Sequence, residues 1–157
     1  MTHLIFQIGN HPYALPAREI ERVVPFVPLK PVPYAPDYLP GLLHYRHAPI
    51  PVIDLGVLLE NGPTPAALSS RILLTRFNDG QQSQAPTFVG LLAPSVVETL
   101  DIKPEAFEAA RVTVEKARYL GPVYADETRL IQRIELEPLL AAPIRETLLA
   151  APLLSAS

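Results

Sequence analysis

His44 and His47 lie close enough in sequence to suggest a pair of metal ligands, because imidazole is a common ligand of zinc and other transition metals. Two ligands alone do not make a site, and the chain has no cysteine and no acidic cluster near this pair. On a continuous strand this spacing would also point the two rings to opposite faces. The sequence therefore predicts no metal site here.

Hydrolytic chemistry would need a nucleophile, a base and an oxyanion site, and the sequence shows no such set. Ser69-Ser70 lacks the flanking glycines of a nucleophile elbow and is expected at a loop end. Asp54 precedes a leucine-rich turn, where its carboxylate would cap a helix N-terminus. The seven glycines are dispersed, so no phosphate loop is available. We expect no catalysis and no cofactor, and an unrecognised hydrolase is a disfavoured alternative.

Length and charge restrict the class of protein further. With 157 residues the chain forms one domain, or two small subdomains that share a core, and it needs no disulfide. Its net charge is −3 and its basic residues are scattered, so nucleic acid is not an expected partner. Its apolar runs are far shorter than the ~20 residues of a membrane span, and its start has no signal-peptide pattern. We expect a cytoplasmic protein without direct membrane insertion.

The segment from Gly41 to Leu59 would position Asp54 and the two histidines. Residues 42–45 and 50–53 are apolar and predict two strands, joined by a polar turn at 46–48. Leucines at helical spacing follow Asp54 and predict a short capped helix. Together these elements form a packing unit rather than a reaction centre.

The rest of the chain predicts many short strands with brief helices. Turn signals and apolar patterning predict further strands over residues 3–8, 11–15, 20–26, 71–77, 87–92, 95–100, 119–124 and 129–134. Single helical turns are predicted at 16–19 and 103–107, and loops or irregular connections at 61–70, 78–84 and 111–116. The tail from Pro138 is helical in composition, and its apolar residues include Leu149, but Pro143 and Pro152 divide it. These elements predict barrels or a sandwich.

The unit at 42–59 has a counterpart at 119–142. In both stretches an aromatic strand and a turn lead to an apolar strand, an acidic residue and a leucine-rich helical turn. The acidic residues are Asp54 and Glu135. This order indicates an internal repeat of one small β unit.

Six prolines lie between Pro25 and Pro40 and allow two interpretations. One is a polyproline ligand for a partner's aromatic groove, with Lys30 as its basic flank. The other is an ordered crossover between two β units, which we favour because apolar residues interleave with the prolines. These expected buried anchors are Val27, Leu29, Val32 and Tyr34.

Five blocks of residues follow one another along nearly the whole chain. They are Phe6-Gln7-Ile8-Gly9 with Tyr13-Ala14-Leu15-Pro16, then Ile20-Glu21-Arg22-Val23-Val24, then Pro33 to Gly41 with Arg46 and Pro51-Val52-Ile53-Asp54-Leu55, then Gly90-Leu91-Leu92 with Val96 and Glu98, and last Tyr119-Leu120-Gly121. In this order they resemble the CheW-like domain of bacterial chemotaxis coupling proteins.

The resemblance implies a mainly-β fold of two small SH3-like five-stranded β-barrel subdomains on a shared apolar core, with short helices and a C-terminal helix. It implies a single domain over 1–157, whose intertwined barrels are formed by roughly 15–85 and by the remainder. It also implies a non-catalytic adaptor, recruited to membrane receptor arrays. The implied partners are the cytoplasmic helical tip of a chemoreceptor and the regulatory domain of a CheA-like histidine kinase.

The resemblance also places a protein interface on particular residues. They are Glu21, Arg22, Val24, Arg46, His47 and Ile50, with Asp54 as a structural cap. Arg46 is the strongest candidate, because its planar guanidinium presents several donors at once and Arg is enriched at interfaces. Four apolar strand residues are individually more typical of a core than of an interface: Val23, Val24, Ile50 and Val52.

Three departures from the family pattern concern these residues. Arg22 stands where an acidic residue is usual, and Glu21 comes one position early, which along a strand changes the face. The usual Arg-Gly turn is Arg46-His47 here, so the turn must differ or carry strain. Pro94 replaces a common acidic residue. A degenerate scaffold in a non-motility pathway, such as surface sensing, and a small-ligand-binding β-barrel are therefore the alternative functions.

Overall fold

The structure, a computed structural model, describes residues 1–77, 87–141 and 144–148, with Val97 described by its backbone alone. Its strands are β1 (Thr2–Ile8), β2 (His11–Pro16), β3 (Ile20–Pro25), β4 (Gly41–Tyr45), β5 (Ala48–Asp54), β6 (Arg71–Phe77), β7 (Thr87–Ala93), β8 (Val96–Asp101), β9 (Leu120–Ala125) and β10 (Leu130–Ile134). The helices are α1 (Leu55–Leu58), α2 (Leu136–Leu139) and a helical segment at 144–148, with 3₁₀ turns at Ala17–Glu19, Pro104–Ala106 and Glu115–Ala117. The prediction of a mainly-β protein with short helices is confirmed.

The strands form two five-stranded sheets. The first sheet has the order β8-β1-β2-β10-β9, and the second has the order β3-β6-β7-β5-β4. Each predicted strand is present with ends that differ by no more than about two residues. The stretch predicted as irregular at 111–116 leads into the 3₁₀ turn at Glu115–Ala117. The predicted polar loop at 78–84, and the breaks and apolar residue predicted at Pro143, Pro152 and Leu149, lie outside the described residues.

A large apolar cluster lies between the two sheets and joins them. It takes Phe6, Leu15 and Ile134 from the first sheet and Ile53, Leu73 and Leu91 from the second, each fully buried. Each fully buried side chain of this kind contributes about 1.5–3 kcal/mol relative to exposure. The predicted shared apolar core is therefore present.

Each sheet also has a smaller cluster of its own. The second sheet encloses Leu43, Ile50, Val52, Ile72, Leu74 and Leu92. The first sheet encloses Ile5, Ala14 and Ile131. Neighbouring residues of β1 show how this arises: Ile5 joins the small cluster and Phe6 the shared one, because successive side chains of a strand point to opposite faces.

The two sheets have the same connectivity in a permuted order. In the second sheet β5 lies parallel to β7, whereas the pairs β3–β6, β6–β7 and β4–β5 are antiparallel. The first sheet repeats this pattern, with β10 parallel to β2 and with antiparallel pairs β8–β1, β1–β2 and β9–β10. The strands β8, β9, β10, β1 and β2 thus correspond to β3 through β7. Because β3 to β7 are inserted between β2 and β8, the two sheets are intertwined.

The predicted internal repeat follows this correspondence. Asp54 and Glu135 each occupy the N-cap position of a four-residue helix, α1 and α2 respectively. The Asp54 N–H donates to the Tyr38 carbonyl at 2.8 Å, and the Glu135 N–H donates to the Tyr119 carbonyl at 2.7 Å. The two tyrosines therefore hold equivalent places in the two halves.

Residues 26–40 form the crossover that leads from β3 to β4, at opposite edges of the second sheet. The Lys30 N–H donates to the Leu42 carbonyl at 2.9 Å, and the Leu42 N–H donates to the Lys30 carbonyl at 2.8 Å. A side chain at Gly41 would collide with the Lys30 carbonyl, so glycine permits this close approach. The segment is an ordered connection, as we favoured.

The predicted anchors of this crossover are largely wrong. Val27 and Val32 are exposed, and Tyr34 is fully exposed with a positive φ of 66°. Only Leu29 among the predicted anchors packs partly against the cluster of the second sheet. Leu39 enters the shared cluster instead. The prolines fix the path of the segment, so fewer of its side chains need to be buried.

Candidate protein-interaction surface

The turn between β4 and β5 carries Arg46, the residue predicted to anchor an interface. Tyr45 pairs with Ala48, so Arg46 and His47 form a two-residue hairpin turn. Their φ angles are 50° and 68°, the pattern of a type I′ turn, which matches the twist of the flanking strands. Such angles cost a non-glycine residue roughly 1–2 kcal/mol. The strain expected at His47 is therefore present.

The side chains at and beside this turn contact one another. The guanidinium of Arg46 lies over the Tyr45 ring, 5.2 Å from its centroid. The rings of His44 and His47 meet edge to face at 6.3 Å, although a continuous strand would separate them. The strand is not continuous here, because the predicted turn lies between the two residues. In the described ranges, no three His, Asp or Glu side chains converge as a metal site.

Glu21 occupies a β-bulge in β3. Ile20 lies opposite Thr75 and Arg22 lies opposite Leu74, so Glu21 is an extra residue in the ladder. Its Oε2 accepts a hydrogen bond from Nε of Arg76 at 3.2 Å, and both side chains are exposed. Glu21, the acidic residue that comes one position early, thus lies where the alternation of side chains along β3 is interrupted.

The apolar residues near these charges divide between surface and core. Val23 is 42% exposed, so its interpretation as a core residue is wrong. Val24 is half-buried against the cluster of the second sheet. Ile50 and Val52 are 3% and 0% exposed, which confirms that both belong to the core. Ile50 faces Leu43 inside this cluster, so it supports the hairpin from below.

The predicted interface residues form two separate patches. The β3 patch consists of the predicted Glu21 and Arg22 with the exposed Val23, and the turn patch consists of the predicted Arg46 and His47 with Tyr45. The predicted Val24 and Ile50 are half-buried and buried, respectively. They lie at opposite edges of the second sheet, with three strands between them. Val24 and Tyr45 nevertheless pack against one cluster, so the sheet curls around it. The surface can therefore meet two partners, or two parts of one partner.

Asp54 is a buried hydrogen-bond acceptor rather than an exposed acid. Its Oδ1 accepts from the Gly56 N–H at 2.9 Å, as an N-cap does, and from the Thr64 hydroxyl at 2.6 Å. Its Oδ2 accepts from the Thr64 N–H at 2.9 Å. The carboxylate is 2% exposed. Its hydrogen bonds to Thr64 hold the loop after α1 against the sheet. No local pattern in the sequence indicates that Thr64 is its second partner.

Ser70 and Pro94, two further residues singled out in the sequence, are both buried. Ser70 is fully buried, and its hydroxyl donates to the Pro65 carbonyl at 2.7 Å. Pro94 is buried at the end of β7, and Ser95 after it has a positive φ of 50°. An acidic side chain at position 94 would need a hydrogen-bonding or charged partner, or exposure to solvent. A proline needs neither.

Comparison with known proteins assigns this architecture. A profile of the CheW-like domain matches residues 2–143. The chain belongs to the CheW-like domain family. A protein named "Probable chemotaxis protein CheW" from Rhizobium etli is 24% identical over 138 residues, which cover 87% of this CheW-like chain and 84% of that protein. "Chemotaxis protein CheW" from Rhizobium meliloti is 24% identical over 148 residues, which cover 91% and 89%.

A solved structure supports the fold of this CheW-like chain. Scaffolding protein TtCheW from Thermoanaerobacter tengcongensis superposes with a TM-score of 0.77 at 23% identity, covering 90% of this chain and 88% of that one. The two sheets correspond to the two SH3-like subdomains of that architecture. The family is one of scaffolds and adaptors, so a small-ligand-binding barrel is not favoured. None of the helices in the described parts is long and apolar enough to cross a bilayer.

Proposed function

We propose that this CheW-like chain is a chemotaxis-type adaptor that couples the cytoplasmic tip of a chemoreceptor to the regulatory domain of a CheA-like histidine kinase. The proposal rests chiefly on the family match across residues 2–143. The chain would act in the cytoplasm, at receptor arrays, and would transform no substrate. Nucleic acid and membrane lipid are not among its partners in this proposal.

The two patches support a mechanism of rigid presentation. Ile50, Val52 and Leu43 pack beneath the hairpin, so the turn patch cannot move freely relative to β3. With one partner bound at each edge, the two partners would be held close together on the same adaptor. A contact between them would then be effectively intramolecular, with a higher effective concentration. Each contact is expected to bury about 1,200 Å² in total or less, as transient signalling contacts do.

We further propose that residues 1–157 act as a single domain with two intertwined subdomains, roughly 15–85 and the remainder. The strands of the second sheet fall between Ile20 and Ala93, so the first of these subdomains would also include β7 and extend to about residue 93. The shared cluster takes residues from both sheets, so neither subdomain would keep its core alone.

Arg22 favours a more specific version of this function, in which the adaptor serves its own dedicated receptor and kinase. Its side chain is exposed, and it brings a positive charge where the family usually has a negative one. A positive charge at the rim of the β3 patch, in place of a negative one, disfavours the usual partner and favours a partner with acidic groups. The prediction is that Arg22→Glu weakens binding to the native partner and improves binding to a partner from an ordinary chemotaxis set.

Reconstitution tests the function directly. The purified chain is mixed with a CheA-like histidine kinase and a chemoreceptor cytoplasmic fragment from the same organism, and both sedimentation and kinase autophosphorylation are measured. We expect a complex of all three proteins, and receptor control of the kinase only when the chain is present. Receptor control that is equally strong without the chain would refute the adaptor role.

A further inference from the structure

We propose that a cavity between the two halves of the molecule binds a small amphipathic carboxylate. The cavity has a volume of about 230 Å³ and lies outside both the β3 patch and the turn patch. Its walls come from the crossover, from α1 and α2, and from the 3₁₀ turn at Glu115–Ala117. It is not the interior of either sheet, so it differs from the ligand-binding barrel considered above.

The walls of the cavity consist of corresponding residues from the two halves. Tyr38 and Tyr119 are equivalent, since each carbonyl accepts the N–H of the residue that precedes a short helix. Leu58 and Leu139 are equivalent as well, since each is the last residue of its helix. The cavity therefore lies where the repeated units meet, and anything bound in it contacts both.

The interior presents apolar surface, because its tyrosine hydroxyls already have partners. The Tyr119 hydroxyl donates to the Leu58 carbonyl at 3.1 Å. The Tyr38 hydroxyl lies 3.0 Å from Oγ1 of Thr147 and shares a hydrogen bond with it. What remains for a ligand is the ring faces and the leucine side chains. Such walls favour an apolar ligand body.

The three charged residues that line the cavity are exposed and carry a net charge of +1. Arg118 donates from Nη2 to Oε2 of Glu115 at 2.8 Å, so these two charges offset each other. Lys116 also lines the cavity and has no ion-pair partner among the residues described. One uncompensated cation beside an apolar cavity favours a ligand with a single carboxylate at its outer end.

The volume limits the size of the ligand. About 230 Å³ corresponds to the liquid volume of roughly eight water molecules, and it is smaller than the pockets that hold drug-sized ligands. An α-helix, with a diameter of about 10–12 Å, does not fit. The geometry therefore suits an aromatic or branched carboxylic acid with roughly ten non-hydrogen atoms.

The test uses 3-phenylpropionate as the probe and the neutral 3-phenylpropanol as its matched analogue. Binding to the full-length chain is followed by calorimetry and by amide chemical shifts. We expect both compounds to shift the amides of Lys116, Leu139 and Ala141, and the carboxylate to bind more tightly. Lys116→Ala should weaken 3-phenylpropionate roughly twofold to fivefold and leave 3-phenylpropanol unchanged.

Two variants serve as controls. Lys103→Ala removes a lysine that does not line the cavity and should leave both affinities unchanged. Ala141→Trp places a large side chain at the exposed rim and should abolish binding of both compounds with an unaltered melting temperature. Equal affinity of the two probes, no binding of either, or binding that survives Ala141→Trp would overturn the proposal. If neither compound shifts these amides but a protein partner does, the cavity would be assigned to a side chain of that partner instead.

Discussion

The hydroxyl of Thr64 donates a 2.6 Å hydrogen bond to Oδ1 of Asp54, across ten residues of sequence. Together with the Thr64 and Gly56 amides, it gives this buried carboxylate three donors. Hydrogen bonds to a charged group contribute about 1.5–3 kcal/mol each, and a buried donor left without its acceptor is costly. One side chain therefore both caps α1 and fixes the loop that follows it.

Asp54→Ala should lower the free energy of unfolding by about 3 kcal/mol, because the cap is lost and the Thr64 donors remain buried without an acceptor. Thr64→Val keeps the shape and the cap, so it should cost only about 1 kcal/mol. Urea unfolding measures both. Partner binding measured well below the unfolding transition should stay unchanged; its loss in a folded Asp54→Ala protein would show that the carboxylate acts at the interface.

Arg46→Glu should weaken binding of the receptor tip without unfolding the domain. The side chain is exposed at a strained turn and held over the Tyr45 ring, so reversal of its charge alters the surface and not the core. Arg111 provides a matched control, since it is also exposed with a positive φ, of 63°, and lies outside both patches. Equal receptor-tip affinities for Arg46→Glu, Arg111→Glu and the unchanged chain would rule out the role of Arg46.

His47→Gly should stabilise the protein by about 0.5–1 kcal/mol. Glycine adopts the φ of 68° without the clash of a Cβ, and this gain exceeds the entropy that glycine adds to the unfolded chain. His47→Ala retains the Cβ and should bring no such gain. Thermal unfolding distinguishes the two variants, and a glycine variant no more stable than the alanine variant would contradict the strain at this turn.

The fold should lose stability in mild acid because of His3. Burial lowers the pKa of this side chain below its ordinary value of 6.5, although the bond from Nδ1 to the Met1 carbonyl opposes the shift. Its Nε2 is buried without a partner in the described structure, and Arg133, Arg18 and the N-terminus oppose a further positive charge.

The unfolded chain thus binds the proton first as the pH falls. The stability that neutral His3 provides is complete above 6.5 and is lost as the pH falls toward the folded pKa. Urea midpoints between neutral pH and about pH 5 should show this slope, and His3→Leu should flatten it. An unchanged slope in the variant would assign the acid sensitivity to other groups.

Glu19 should act in the opposite direction. Burial raises the pKa of its carboxyl above 4.5, and Glu135 adds to this effect. The folded state therefore holds the proton more tightly, and the stability present below 4.5 is lost as the pH rises through the folded pKa. Glu19→Gln should accordingly stabilise the protein at neutral pH, whereas Glu105→Gln, on an exposed 3₁₀ turn, should not. A destabilised Glu19→Gln protein would show that the ionised carboxylate has a favourable partner.

The sequence was sufficient for the features that depend on local pattern. Apolar alternation placed the strands, and the position of Asp54 before leucines at helical spacing placed the cap. The repeat was visible because both halves end a strand with an acid and a leucine-rich turn. These signals are local, so each can be recognised without knowing what lies across the sheet.

Features set by tertiary contacts could not be predicted in this way. The bulge at Glu21 depends on the register with β6, and the approach of His44 to His47 depends on where the hairpin turns. Tyr34 was expected inside because it is one of the apolar residues that interleave with the prolines, yet the path of the prolines leaves it outside. The separation of the two patches follows from strand order, which no spacing along the chain reveals.

The permuted strand order has a consequence for synthesis on the ribosome. The hairpin of β1 and β2 emerges before the other strands of the domain, but its neighbour β8 follows only after about 80 further residues and its neighbour β10 after about 110. At translation rates of roughly 5–20 residues per second, it waits for several seconds with Ile5 and Phe6 uncovered on its two sides. The second sheet, whose strands are contiguous, can close in that interval. The first strands of the domain to be synthesised are thus the last to find their place, and they are the part that a chaperone would need to shield.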